Sequence, residues 1–113
     1  MKIKSYTKND VVVLEPVGKL TGGPDVGELD EKFHALLGEG WKKVILDLGK
    51  TAWVCSSGIA ILLHHRSKFQ KIGGNLKLAN LTEKIQQIIA LTKLTLVFEV
   101  YDTLEAALES FEN

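Results

Sequence analysis

Polar and apolar residues alternate from Lys2 to Tyr6, the pattern of a strand with one face in solvent. Thr7-Lys8-Asn9-Asp10 is turn chemistry. The run Val11-Val12-Val13-Leu14 beyond it is apolar throughout and mostly β-branched, as a strand covered on both faces requires. The short link predicts an antiparallel hairpin. Pro16 and Gly18 then loosen the second strand, which is expected to end near Leu20. From there the period changes. Val26, Leu29, Phe33, Leu36 and Leu37 share one face of a helix that opens at Pro24 and stops at Gly38 and Gly40.

Val44-Ile45-Leu46-Asp47-Leu48 returns to a buried-strand pattern. Trp53-Val54 reads as a connection, and Ser56-Ser57-Gly58 opens a helix in which Ile59, Leu62 and Leu63 recur at helical spacing. That helix is expected to reach about Ile72, with Gly73-Gly74 ending it before a strand at Leu76 to Ala79. Asn80 or Thr82 can cap the next helix, whose apolar residues are Leu81, Ile85, Ile88 and Ile89. A last strand is predicted over Leu96 to Val100, and Asp102 or Thr103 caps a closing helix carrying Leu104, Ala107, Leu108 and Phe111. The order is β-β-α-β-α-β-α-β-α. Helices between strands imply right-handed crossovers, so the fold class is α/β: a mixed, mostly parallel sheet of about five strands with an N-terminal antiparallel hairpin, flanked by about four helices.

The 113 residues fit one domain, expected to span 1–113. Fourteen basic residues balance 14 acidic ones, which argues against a nucleic-acid-binding or membrane-surface protein. The single Cys55 excludes an internal disulfide framework and fits a reducing compartment. The first residues lack the apolar core of a signal peptide, and the longest apolar runs, such as Ile59 to Leu63, fall far short of the roughly 18 residues of a membrane span. A cytoplasmic location, without membrane insertion, is the expectation.

The chemistry-bearing stretch is Cys55-Ser56-Ser57-Gly58. A helix N-terminus carries unpaired N–H groups and a partial positive charge, so it suits an anion, including a phosphate on one of its own serines. The plainer reading makes Ser56 and Ser57 helix caps. Cys55 is either a thiol activated by the helix start or a small buried apolar residue. Trp53 either anchors a partner or folds over the core. His64 and His65 are adjacent and His34 is remote in sequence, so neither a metal site nor a cofactor is predicted. Gly22-Gly23 lacks phosphate-loop spacing. Val54 and Cys55 stand where a Gly-x-Ser-x-Gly elbow would need glycine, so no hydrolase is predicted.

The element order, together with Asp47-Leu48, Trp53-Val54 and Cys55-Ser56-Ser57-Gly58-Ile59, resembles the STAS domain family of bacterial anti-sigma factor antagonists. Gly18-Lys19-Leu20 matches an earlier family pattern, with Thr21 where Asp is usual; Cys55 likewise replaces the Asp before the first serine. The resemblance implies partner switching. The unphosphorylated domain binds an anti-sigma factor that is also a serine kinase, phosphorylation of Ser56 releases it, and a cognate phosphatase resets it. The domain is then substrate and ligand, not catalyst. Its expected contact surface comprises Thr21, Gly22, Gly23, Trp53, Cys55, Ser57 and Gly58, and a weak homodimer is compatible with it. The alternative is a STAS scaffold without phosphorylation, within a signalling or transporter complex.

Overall fold

A computed structural model describes residues 1–112. The hairpin forms as its pattern requires: β1 (Lys2–Lys8) runs antiparallel to β2 (Val11–Leu20), with Lys2 opposite Val17 and Lys8 opposite Val11. The first half of β2 pairs in parallel with β3 (Lys43–Asp47), β3 with β5 (Asn75–Ala79), and β5 with the short β6 (Val100–Tyr101). Val11 to Leu14 is buried because both faces of this sheet are covered. Helices α1 (Pro24–Gly38), α2 (Ser56–Lys71) and α3 (Glu83–Leu91) pack Phe33, Phe69 and Ile85 onto Val12, Leu14, Val44, Leu46, Leu76 and Leu78. The short α4 (Leu104–Ser110) closes the other face over Val11, Val13, Ile45 and Ala79.

Two elements depart from the expectation. Thr51–Val54, read as connection, is a strand, β4, and brings the sheet to six strands. Its residues are Thr-Ala-Trp-Val, of suitable β propensity, but the run is short and its partner is remote in sequence. That partner is the second half of β2: Gly18 lies opposite Thr51 and Leu20 opposite Val54, with an irregularity between Gly18 and Lys19. Gly18 has φ +120, a backbone that L side chains rarely adopt, and here β2 leaves β3 to run beside β4. The Thr51 hydroxyl, buried, donates to the Pro16 carbonyl at 2.9 Å and locks the two strands together.

The predicted strand over Leu96–Val100 is the second correction. Leu94–Leu96 forms a turn of 3-10 helix, Leu96 is 83% exposed, and only Val100–Tyr101 pairs. The apolar run Leu-Val-Phe-Glu-Val favours a strand locally. Leu94 and Phe98 instead point into the core under α3, and their burial overrides that preference. Thr82 and Thr103, rather than Asn80 and Asp102, are the caps of α3 and α4; their hydroxyls accept from the N–H groups of Ile85 and Ala106.

Candidate functional site at the start of helix α2

The site is assembled by β4. The Cys55 N–H donates to the Leu20 carbonyl at 2.8 Å, which ties the end of β4 to the end of β2. Two segments remote in sequence thereby leave the sheet side by side: Thr21-Gly22-Gly23, leading to α1, and Cys55-Ser56-Ser57, opening α2. Gly22 and Gly23 both have positive φ, +113 and +66, so the loop turns in a way other residues resist. A Cβ on Gly22 would lie 3.7 Å from the Ser57 hydroxyl, so the glycine passes directly beside the helix start.

Cys55, not a serine, is the N-cap, with extended backbone (φ −81, ψ 173) and no side-chain capping bond. Ser56 and Ser57 are the first helical residues and both are exposed. The plain reading of these serines as caps is thus replaced. Ser57 is engaged through its hydroxyl with the Cys55 thiol, 3.1 Å away. That contact holds the Cys55 thiol below the usual thiol range against the opposing effect of its partial burial. Cys55 is a half-buried free thiol. No acidic residue stands in the first turn of α2.

The remaining predicted residues divide. Thr21, Gly23 and Trp53 are exposed and Gly22 half-buried, all near this end of the sheet. Trp53 lies on β4 with 39% of its surface exposed, and the Lys84 ammonium of α3 sits 5.3 Å from its ring centre, so it does not fold over the core. Gly58 is different. It is buried, and a Cβ there would come within 3.0 Å of Val54 and 3.7 Å of Leu20. Its part is to let α2 approach β4, so it leaves the expected contact surface.

Asp25 closes the loop that runs from Thr21, a role that only the folded chain shows. Its carboxylate accepts from the Thr21 N–H and hydroxyl, both at 2.9 Å, and from the N–H groups of Gly22 and Val26 at 3.1 and 2.7 Å. These bonds, led by the one from the Thr21 backbone, hold the carboxyl below the usual carboxylate range. Asp25 thus fastens the glycine loop and sets a carboxylate against Thr21, where the resemblance has an Asp of its own. Its signal was the spacing: an Asp in the first helical turn, four residues after Thr21.

Two hollows lie at the opposite end of the parallel strands, one lined by Lys8, Asp10, Lys43 and Phe111 and another by Gly74, Lys77 and Glu99. The start of α2 is instead an open surface of two hydroxyls, a glycine loop and one indole, suited to a macromolecular face. Among the described residues no helix is long and apolar enough to cross a membrane.

Fold and site together define a small α/β domain whose distinctive feature is a bare helix start held against a glycine loop. The chain belongs to the STAS domain family, whose model matches residues 2–107. It is 26% identical over 105 residues, 91% of each chain, to a Thermotoga neapolitana protein named as a candidate anti-sigma factor antagonist. A Bordetella bronchiseptica protein named in the same way, BtrV, is 22% identical over 93% of this chain and 90% of its own. The crystal structure of a protein so named from Thermotoga maritima superposes with a TM-score of 0.91 at 23% identity, covering 98% of this chain and 95% of that one. The Bacillus protein SpoIIAA in its phosphorylated form shares the fold, with a TM-score of 0.76 at 17% identity over 97% of this chain and 99% of its own. The chain is thus a STAS domain with the fold of proteins named as anti-sigma factor antagonists.

Proposed function

We propose that this domain is a cytoplasmic partner switch: it binds an anti-sigma factor with serine kinase activity and is released when that kinase phosphorylates Ser56. The observation that carries the reading is the bare N-terminus of α2, with Ser56 exposed, no side-chain cap and no first-turn carboxylate. A phosphoserine there carries about −1.5 to −2 charges. The free N–H groups and helix dipole favour such a charge by roughly 0.3–1 kcal/mol, so the domain tolerates it without refolding. A partner packed over Ser56 would have to bury a hydrated dianion without a counter-charge, at far greater cost. One local change then abolishes a contact while the fold stays as it is. The contact surface comprises Thr21, Gly22, Gly23, Trp53, Cys55 and Ser57, and a separate phosphatase resets the switch. The names of the relatives support this reading, as does SpoIIAA, whose structure is described both without and with phosphate.

A specific observation favours a second reading, a constitutive STAS scaffold. Thr21 and Cys55 stand where the resemblance has acidic residues. Asp25 answers half of that difference, since it returns a carboxylate to the loop. A pull-down from the source organism with wild-type, Ser56→Ala and Ser56→Asp baits separates the two. Partner switching predicts an ATP-binding kinase on the wild-type and Ser56→Ala baits and its loss from Ser56→Asp. The scaffold predicts one non-kinase partner on all three.

A further inference from the structure

The chain has three histidines, and the fold gathers all of them at one place between α1 and α2, away from the start of α2. The rings of His34 and His64 lie 4.9 and 5.0 Å from the ring of His65. Sequence separation hid this: His34 is in α1, and only the packing of α1 on α2 brings it to His65. Asp30 completes the group. It lies one helical turn before His34 on the same face of α1, with its Oδ1 3.7 Å from His34 Nε2 and 2.6 Å from His65 Nε2. The donor atoms of Asp30, His34 and His65 all lie within 4.8 Å of one another.

A hydrogen bond between His65 and Asp30 explains that pair. It does not explain His34, a second imidazole turned to the same carboxylate. Two imidazole nitrogens and a carboxylate oxygen are the donor set of zinc-class cations. Ligands at about 2.0–2.1 Å in a tetrahedron stand roughly 3.3 Å apart, so short side-chain rotations close this group on an ion. His65 is fully buried and fixed, whereas the side chains of Asp30 and His34 are 37% and 57% exposed and leave a route from solvent. We propose that Asp30, His34 and His65 form a zinc-class divalent-cation site that clamps α1 to α2, with the fourth position open to water.

The test uses untagged, chelator-treated protein titrated with Zn²⁺ by calorimetry and with Co²⁺ by visible absorption. The expected result is one ion per chain, a tetrahedral Co²⁺ spectrum and a zinc-dependent rise in melting temperature. His34→Ala removes an exposed ligand without opening the core. It should weaken Zn²⁺ binding at least about tenfold, since even residues that only orient a ligand are worth about 10- to 100-fold. It should also shrink the zinc-dependent rise while leaving the metal-free melting temperature unchanged. His64→Ala removes a histidine from outside the donor set and should bind as wild type does. Equal affinity in wild type and His34→Ala, or no binding to wild type below millimolar Zn²⁺, overturns the site.

Discussion

The four helices start differently. Helices α3 and α4 are each capped by a threonine hydroxyl, and each has a glutamate in its first turn, Glu83 and Glu105. Helix α1 opens with Asp25, which binds three backbone N–H groups of the loop and helix start. Helix α2 has neither a side-chain cap nor an acidic residue, only two exposed serines. Two starts are therefore capped by a side-chain oxygen, the start of α1 carries a first-turn carboxylate without a side-chain cap, and α2 has neither. The buried side of α2 shows no such economy: Leu62, His65 and Phe69 are all inaccessible, and Gly58 brings the backbone onto Val54. Helix α2 is thus anchored along its length and open at its first turn, the arrangement expected of a site that changes charge without changing fold.

The sharpest contrast is along α2 itself. Leu62→Ala removes a buried side chain facing the sheet and should cost about 2–5 kcal/mol, read by chemical denaturation, because the cavity cannot collapse under a fixed helix. At the helix starts, Thr82→Ala deletes a working cap and should cost about 1 kcal/mol. Ser56→Ala, at the equivalent end of α2, removes a hydroxyl that caps nothing and should change stability by less than about 0.5 kcal/mol. Equal losses from the two would erase the difference between the helix starts. Ser56→Asp should raise stability by about 0.3–1 kcal/mol, because it supplies the missing first-turn carboxylate, and the gain should shrink in high salt. A destabilised Ser56→Asp would mean that the start of α2 does not welcome negative charge.

The smallest effect concerns the loop beside it. The Asp25 carboxyl lies below its ordinary value because the folded loop donates to its ionised form. A depressed acid contributes order that is complete above its unfolded value and is lost as pH falls through the folded one. The amide resonances of Thr21 and Gly22 should therefore stay constant down to the ordinary carboxylate range and shift together below it. Asp25→Asn, which has no carboxyl to protonate, should show no such step.

Much of this was legible from residue order. Val11 to Leu14, Val44 to Leu48 and the helical spacing from Val26 carry their own burial, and Ser56-Ser57-Gly58 marks a helix start without any neighbour. What was not legible depends on contacts far along the chain. Trp53 became a strand residue through pairing with Lys19, and Leu96 lost its strand because Leu94 and Phe98 were needed inside. Gly58, expected on the contact surface, is closed by Val54, and His34 met His65 only when two helices packed. Local pattern gives the pieces; registers and crossings set which exposed groups share a surface.

In the proposed switch, charge at Ser56 decides partner binding. The most direct measurement is the affinity of the captured kinase for the purified domain before and after phosphorylation with ATP, with the modified residue mapped by mass spectrometry. Partner switching predicts phosphate on Ser56 and none on the Ser56→Ala variant, a fold unchanged by circular dichroism, and binding lost in the phosphoprotein. Phosphate on Ser57 instead, or a phosphoprotein that binds as tightly as the unmodified one, would contradict it.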